Sequence, residues 1–301
     1  MRGHYDVVVV GDAAQDTIVC APNTTLDDDS SSVILDRYGG QGFNMARASQ
    51  RAGAHTLWVT GLDGGEASNH IRAQALSEGI DVYAPVIWDR LPRVVSLVNA
   101  RGQRTLYSDR NASLYPPPPM QVHSPVVLLS AYGFAARPGR ARLDEWIRWA
   151  HEQSAQVLLD PGNIALARAL LPVSDRVDWF LPNHAEWQQW VTAYSHNVLI
   201  KQGPQGITLV VGDVATQIPT DLVPVVDSTG AGDCLAGTFA ANLALKMVPV
   251  TAARNAQLVT QRLIAEQGRQ LWSDEGMSSQ PSGEILRMRS EQRRKIDASD
   301  H

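Results

Sequence analysis

The sequence predicts an α/β protein built on a mostly parallel sheet, and three observations carry that expectation. Tyr5-Asp6-Val7-Val8-Val9-Val10-Gly11 is a short β-branched run closed by glycine, the pattern of a buried parallel strand. From Val126 onward, strand-like and helix-like stretches alternate, as they do when parallel strands are joined by helical crossovers. Two glycine-rich stretches, Tyr38–Gly42 and Gly230–Gly232, each open onto a helical run. With 301 residues and 44% hydrophobic content, the chain can build a sizeable core as one large domain or two small ones.

The charge balance narrows the partners. A formal charge of −5, from 26 basic and 31 acidic side chains, argues against general nucleic-acid or anionic-membrane binding. Cys20 and Cys234 are far apart and in no metal-ligand spacing, so free thiols in a reducing cytoplasm are the simple expectation. The chain enters a strand almost at once, without a basic-then-apolar leader, and no apolar run reaches membrane-spanning length; a cytoplasmic protein is expected.

Taken in order, Gly11 is followed by Asp12-Ala13-Ala14-Gln15-Asp16, where open α/β sheets place ligand groups, beyond a strand's carboxyl end. Thr17 to Leu35 reads as a small exposed β-layer with a loop, and Asp27-Asp28-Asp29 as solvated surface. Tyr38-Gly39-Gly40-Gln41-Gly42-Phe43-Asn44 opens a helix running to Gly53, with Asn44 presenting donor and acceptor from its start. A strand over Thr56 to Thr60, a helix over Glu66 to Glu78 and a strand over Val82 to Trp88 follow. Arg93 to Tyr107 alternates like a hairpin turning at Ala100 to Gly102, and Pro116 to Pro119 is a stiff linker. Strands over Val126–Leu129 and Val157–Asp160 flank a helix over Arg142 to Gln153, and Asn255-Ala256 begins a late helix. The polar end from Trp272, rich in arginine, reads as a frayed helix or tail.

The chemistry concentrates in Val225-Val226-Asp227-Ser228-Thr229-Gly230-Ala231-Gly232-Asp233, which leads into a long helix of small residues to about Leu245. Gly230 and Gly232 let backbone N–H groups converge at a helix N-terminus, where an anion is favoured. Asp233 beside such an anion reads as a general base, taking a proton from a hydroxyl while the amides stabilise a transferring phosphoryl group; an ordinary N-cap is the other reading. Asn183-His184-Ala185-Glu186 puts a neutral and an anionic oxygen on one helical face, suited to water-mediated Mg²⁺ and equally to a capping box. His184 lacks a partner at ligand spacing and reads as surface.

Asp-Ser-Thr-Gly-Ala-Gly-Asp closely resembles the C-terminal signature of the ribokinase-like (PfkB) carbohydrate kinases, and Gly-Gly-Gln-Gly-Phe-Asn-Met-Ala with Gly53 resembles their N-terminal signature. The resemblance, from Gly11 to about Gln267, implies a doubly wound, mostly parallel sheet with helices on both faces and a small β-sheet lid. The core would take residues 1–11, 37–87 and 114–301, and the lid 12–36 and 88–113. It implies ATP-dependent phosphorylation of a hydroxyl, with Asp233 as base and Gly230, Ala231 and Gly232 as anion hole. Asp12, Asp16, Gly40, Gln41 and Asn44 would hold the sugar. Arg110 is open to two readings, a bidentate partner for a carboxylate or phosphate and a surface arginine. Lys201-Gln202-Gly203-Pro204-Gln205-Gly206 resembles the family's nucleotide loop, so Lys201, Gly203 and Gly206, with Thr229 and Asn255, are expected at ATP. Asn183 and Glu186 would organise Mg²⁺, Asp227 would help hold K⁺, and Asp160 would lie behind metal and phosphate or simply cap a helix. A family Gly-Asp pair is replaced by Asp63-Gly64, so a differently shaped turn near the substrate lip is expected. An unphosphorylated sugar or sugar acid is the favoured substrate. A nucleoside kinase, with Phe43 or Tyr107 stacking on a base, and a catalytically silent binding protein are the alternatives. No Gly-x-Gly-x-x-Gly follows the first strand, which disfavours a nicotinamide enzyme. A homodimer covering the lid edges is expected.

Overall fold

The computed structural model describes residues 3–20, 32–98, 104–110, 114–134, 137–189, 197–221 and 229–273. The turn expected at Ala100 to Gly102, the acidic run Asp27–Asp29, the segment Asn111–Ser113, the stretch Val225–Ser228 with Asp227, and the tail beyond Ser273 lie outside the described residues.

The strands are β1 (Gly3–His4), β2 (Val7–Val10), β3 (Ala14–Cys20), β4 (Val33–Gly39), β5 (Thr56–Val59), β6 (Asp81–Tyr83), β7 (Arg93–Val98) and β8 (Arg104–Asp109). They continue as β9 (Val122–His123), β10 (Val126–Ser130), β11 (Gln156–Asp160), β12 (Trp179–Phe180), β13 (Asn197–Lys201), β14 (Ile207–Val211) and β15 (Val214–Ile218). The helices are α1 (Gln41–Arg51), α2 (Glu66–Ser77), α3 (Arg137–Glu152), α4 (Ile164–Ala169), α5 (His184–Trp187), α6 (Ala231–Ala244) and α7 (Pro249–Ser273).

Nine strands form the main sheet in the order β15-β14-β13-β12-β11-β10-β2-β5-β6, parallel from β6 to β13 and antiparallel across the last two pairs. Chain order runs outward from β2 through β5 to β6, then restarts at β10 and runs the other way. Right-handed crossovers in opposite directions put helices on both faces, and the reversal between β2 and β10 opens a crevice at their carboxyl ends. Val7–Val10 are fully buried, as a central parallel strand covered on both sides requires.

A separate four-stranded sheet has the order β4-β3-β7-β8. Its outer pairs are antiparallel, but β3 and β7 run parallel, so the two chain segments meet side by side rather than as one meander. Because β4 continues to Gly39, this sheet extends past the boundary expected at residue 36 and leads straight into α1.

Three elements depart from expectation. The strand expected over Val82 to Trp88 ends at Tyr83, leaving one isolated bridge between Leu62 and Val86. Pro85 has no N–H to continue a ladder, and Trp88 turns inward so tightly that a Cβ on Gly61 would lie 2.3 Å from its Nε1. Helix α3 starts at Arg137 rather than Arg142, and α7 starts at Pro249 rather than Asn255. A proline at the first helical position loses no hydrogen bond, which makes Pro249 a natural start.

Helix α6 is buried on every side from Cys234 to Ala244, enclosed by the sheet, α1 and α7. Its small residues make that possible. A Cβ on Gly237 would lie 2.2 Å from the Met45 carbonyl oxygen, so only glycine lets α6 cross α1 at this distance. Among the described residues, no helix is long and apolar enough to cross a membrane.

Candidate active site

The carboxyl ends of the parallel strands deliver the site. Asp12 follows β2, Ser130 ends β10, Asp160 ends β11, Asn183 follows β12 and Lys201 ends β13. Helices α1 and α6 close over them. At the start of α1, Gly40 occupies the N-cap with φ 104 and no side chain to cap with. Asp12 supplies the missing acceptors from across the crevice, its Oδ1 accepting from Gly42 N at 3.3 Å and its carbonyl from Phe43 N at 3.2 Å. Its other carboxylate oxygen pairs with the Arg110 guanidinium, which lies over the Tyr132 ring at 3.7 Å from the centroid. Arg110 therefore faces the crevice with its charge compensated, and the surface reading is set aside. The burial of its guanidinium opposes ionisation, but Asp12 and Asp16 more than restore it and its pKa rises.

Asn44 and Asp233 meet between the two helices. Asn44 Nδ2 donates to Asp233 Oδ2 at 2.9 Å. Asp233 sits in the first turn of α6 behind Gly230, whose left-handed conformation (φ 73) turns the chain into the helix. A Cβ on Gly230 would stand 3.4 Å from Asn44 Nδ2, and one on Gly232 would stand 3.5 Å from Lys201 Nζ, so the open ends of both glycines face the site. Burial pushes the Asp233 carboxyl up to about 7; the Asn44 hydrogen bond and Lys201 pull down, while Asp160 and Asp12 push further up. Asp16, on β3, is likewise raised by burial to about 6, against the pull of Arg110. It borders the same space, since a Cβ on Gly39 would lie 2.5 Å from its Oδ2 and 4.0 Å from Asn44 Oδ1.

Behind these residues runs a chain of hydrogen bonds that sequence reading did not anticipate. Ser130 Oγ donates to Gln41 Oε1 at 2.6 Å, and Gln41 Nε2 donates to Asp160 Oδ1 at 3.0 Å. Lys201 Nζ reaches Asp160 Oδ2 at 2.6 Å, and Gly162 N donates to Oδ1 at 3.1 Å. Asp160 is thus a buried hub, and helix capping in the next turn falls to Asn163. Gln41, expected among the substrate groups, uses both ends of its amide on Ser130 and Asp160. Burial works against the Lys201 ammonium, yet Asp160, Glu186 and Asp233 outweigh it and its pKa is raised.

Asn183 and Glu186 form the full capping box on α5: Asn183 Oδ1 accepts from Glu186 N, and Glu186 Oε2 accepts from Asn183 N at 2.8 Å. Glu186 Oε1 also takes Asn183 Nδ2 at 2.7 Å, and burial raises the carboxyl. Among the described residues no cluster of three His, Cys, Asp or Glu is arranged to hold a metal directly. Gly203 and Gly206 both have positive φ in the turn after β13, and Gly206 packs against the Ile218 carbonyl. Thr229 is exposed just before α6. Asn255 is in the second turn of α7, where its Nδ2 donates to Asn242 Oδ1 at 3.2 Å, tying α7 to α6. His184 is exposed, as expected.

Two further expectations are corrected or filled in. Phe43 is fully buried against Trp58, ring centroids 5.1 Å apart, and cannot stack on a ligand; Tyr107 is exposed on β8. Asp63 of the departing Asp63-Gly64 turn accepts from Gly65 N, Ser68 Oγ and Leu91 N at 2.8, 2.5 and 2.7 Å. Burial raises that carboxyl, but the hydrogen bonds prevail and lower it; the aspartate thereby pins the segment entering β7. Tyr132 and Ser130 were missed. Their one available signal was position, at the carboxyl end of the strand beside the reversal.

Carboxylates gathered at the switch point of a doubly wound sheet, beside the amino end of a long buried helix, place the chain in the ribokinase-like fold class. The sequence matches the pfkB family carbohydrate kinase over residues 5–274, and the chain belongs to that family. It is similar to the ribokinase of Lactococcus lactis subsp. lactis (strain IL1403), 25% identical over 223 residues that cover 68% of this chain and 72% of that protein. Among solved structures, it resembles the adenosine kinase of Sinorhizobium meliloti with a TM-score of 0.74 at 16% identity, covering 89% of this chain and 99% of that one. It also resembles the ribokinase of Cryptococcus neoformans var. grubii serotype A, solved with ADP, with a TM-score of 0.73 at 18% identity, covering 86% and 93%.

Proposed function

We propose that the protein is an ATP-dependent kinase that phosphorylates a hydroxyl of a small sugar, with Asp233 as general base. The observation that carries this is the Asp233 carboxyl itself. It sits in the first turn of a long helix, held by Asn44 at 2.9 Å, with a pKa pushed up to about 7, where a base is both ionised and able to keep a proton. In the proposed step the substrate O–H bond breaks and its proton passes to Asp233. The oxygen bonds to the γ-phosphorus of ATP as the bond from that phosphorus to the β,γ-bridging oxygen breaks, releasing ADP. In this reading the Gly230–Gly232 amides at the start of α6 stabilise the transferring group, and Lys201, largely buried beside Gly232, adds a positive charge.

Asp12, Asp16, Gly40 and Asn44 are the proposed substrate groups, and Gln41 acts through Asp160. Lys201, the Gly203–Gly206 turn and Thr229 are the proposed nucleotide side, while Asn255 supports it through Asn242. Mg²⁺, when bound, would neutralise phosphate charge. Asn183 and Glu186 fit contact through water, because both Glu186 oxygens already accept hydrogen bonds. K⁺ remains the proposal for Asp227 and its neighbours. The Arg110–Asp12 pair favours an uncharged sugar over a sugar acid, since an acid would compete with Asp12 for the guanidinium. The four-stranded sheet would act as a lid excluding water, and its edges would pair in a homodimer.

The test is ADP release with Mg-ATP and K⁺ across sugars, sugar acids and nucleosides. Stimulation by a neutral sugar above all others is expected. Stimulation by nucleosides alone would replace the substrate reading, and silence throughout would favour a binding protein.

A further inference from the structure

Gln41 is the first residue of α1, and its side chain reaches from the start of the helix to the ends of two strands. Ser130 and Asp160 are direct partners at the carboxyl ends of β10 and β11. The Gln41 amide bridges them. Its Oε1 accepts from Ser130 Oγ at 2.6 Å, which orients the amide, and its Nε2 then donates to Asp160 Oδ1 at 3.0 Å. Gln41, Ser130 and Asp160 are all buried, so water competes little for these bonds.

The backbone around Asp160 is fixed independently. Gly162, at φ 72, donates to Asp160 Oδ1 at 3.1 Å, and its carbonyl accepts from Tyr132 Oη at 2.9 Å. A Cβ on Gly162 would lie 2.8 Å from the Tyr132 ring, so this turn is clamped. What remains to be set is the Asp160 carboxylate, whose Oδ2 takes Lys201 Nζ at 2.6 Å. The setting matters because the ammonium has a choice. Burial opposes its charge, while Asp160, Glu186 and Asp233 all draw on it. A Lys201 turned to Asp233 would occupy the base instead of standing beside Gly232, where its Nζ lies 3.5 Å from the place of a Cβ. The first turn of α1 thus serves both halves of the site, since Asn44, one turn on from Gln41, holds Asp233.

We infer that Gln41 is a positioning residue for the nucleotide: by fixing the Asp160 carboxylate it aims the Lys201 ammonium at the phosphates of ATP. This rests on the reading of Lys201 as a nucleotide group. In this role Gln41 touches neither ATP nor acceptor, because both ends of its amide are taken by Ser130 and Asp160.

The test is calorimetric titration of Mg-ATP into the full chain, with the parent, Gln41→Met, Lys201→Met and the double variant. Gln41→Met keeps the length of the side chain and removes both hydrogen bonds; it should weaken Mg-ATP about 3- to 10-fold, the worth of one hydrogen bond. Lys201→Met should weaken it about 10-fold or more, as loss of a charged donor does. Adding Gln41→Met to Lys201→Met should change affinity by less than about twofold, because the route through the ammonium is already cut. Turnover with the sugar that best stimulates the parent should show a raised ATP KM and an unchanged acceptor KM. Should Gln41→Met not fold, Gln41→Asn, one methylene shorter and still an amide, takes its place with the same expectations. Parental Mg-ATP affinity in the Gln41 variant, losses that multiply in the double variant, or an acceptor KM raised as much as that for ATP overturns the inference. Parental turnover in Asp233→Asn would remove the base and leave these results standing. A parent that does not bind Mg-ATP would remove the nucleotide reading and this inference together.

Discussion

Replacing Gly237 by alanine tests whether the crossing of α1 and α6 sets the geometry of the site. The new Cβ would stand 2.2 Å from the Met45 carbonyl oxygen and 2.9 Å from the Ala48 Cβ, where real contacts essentially never fall below 3.0 Å. The difference is about 0.8 Å, so the helices must part by about that much or bend. Gly237 lies one turn after Asp233 on the same helical face, and Met45 adjoins Asn44, so the displacement falls directly on the 2.9 Å contact between those side chains. Overpacking of this kind costs about 1–3 kcal/mol, a drop of several degrees in Tm for a chain of this length. Misplacing a reacting group by about 1 Å costs up to about 100-fold in rate. The expected variant is folded, melts several degrees lower, binds ATP nearly as before and turns over about 30- to 100-fold more slowly well below its Tm. Scanning calorimetry and coupled ADP release read the two effects, with Leu245→Ala, exposed at the end of the same helix, as a control that changes neither. Parental turnover in Gly237→Ala would refute the claim that this crossing positions the base.

The raised Asp233 carboxyl makes activity and stability respond to pH with opposite signs. The base must be ionised, so kcat/KM should climb through about pH 7. The folded state holds a proton that the unfolded state has lost between about pH 4 and 7, so Asp233 lowers stability as pH rises through that window, and Asp233→Asn should remove this slope. The full shift corresponds to at most about 4 kcal/mol, and partial exposure reduces the expected gain at pH 8 to about 1–2 kcal/mol, read as Tm against pH. Asn44→Ala removes a hydrogen bond that favours the ionised base, so the midpoint of the rate profile should move up and the acceptor KM should rise more than the ATP Kd. An unmoved midpoint would detach Asn44 from the base. Asp160→Ala strands a buried Lys201 and should cost about 3–5 kcal/mol by chemical denaturation; a loss below about 1 kcal/mol would show that the ammonium has found another partner.

The elements that bury one kind of surface were legible in the sequence. Val7–Val10 and Val126–Leu129 read as strands because parallel strands covered on both faces need continuous β-branched or aliphatic runs, and α6 read as a helix because its small residues extend far past Asp233. The helix boundaries were less legible. Both missed starts carry a proline in the first turn, Pro138 in α3 and Pro249 in α7, where the lost N–H costs no helical hydrogen bond. Which side of a helix faces the site was harder still. Phe43 and Asn44 are neighbours in the glycine-rich stretch, but α1 begins at Gln41, so Phe43 turns onto Trp58 and Asn44 onto Asp233. The Ser130–Gln41–Asp160–Lys201 chain joins four segments distant in sequence, and no local pattern announces it. Arg110 reached the site through the register of β7 with β8, which sets Asp109 at the end of β8 opposite Arg93 of β7, itself paired with Gln15 of β3.

The central claim is that Asp233 takes the proton from the acceptor hydroxyl. The direct measurement is steady-state ADP release by Asp233→Asn, with the acceptor that best stimulates the parent and with ATP binding followed by calorimetry on the same samples. The account predicts turnover reduced by about 100- to 10,000-fold with ATP affinity and fold retained. Turnover within a few-fold of the parent would contradict it and leave Asp233 as a cap of α6.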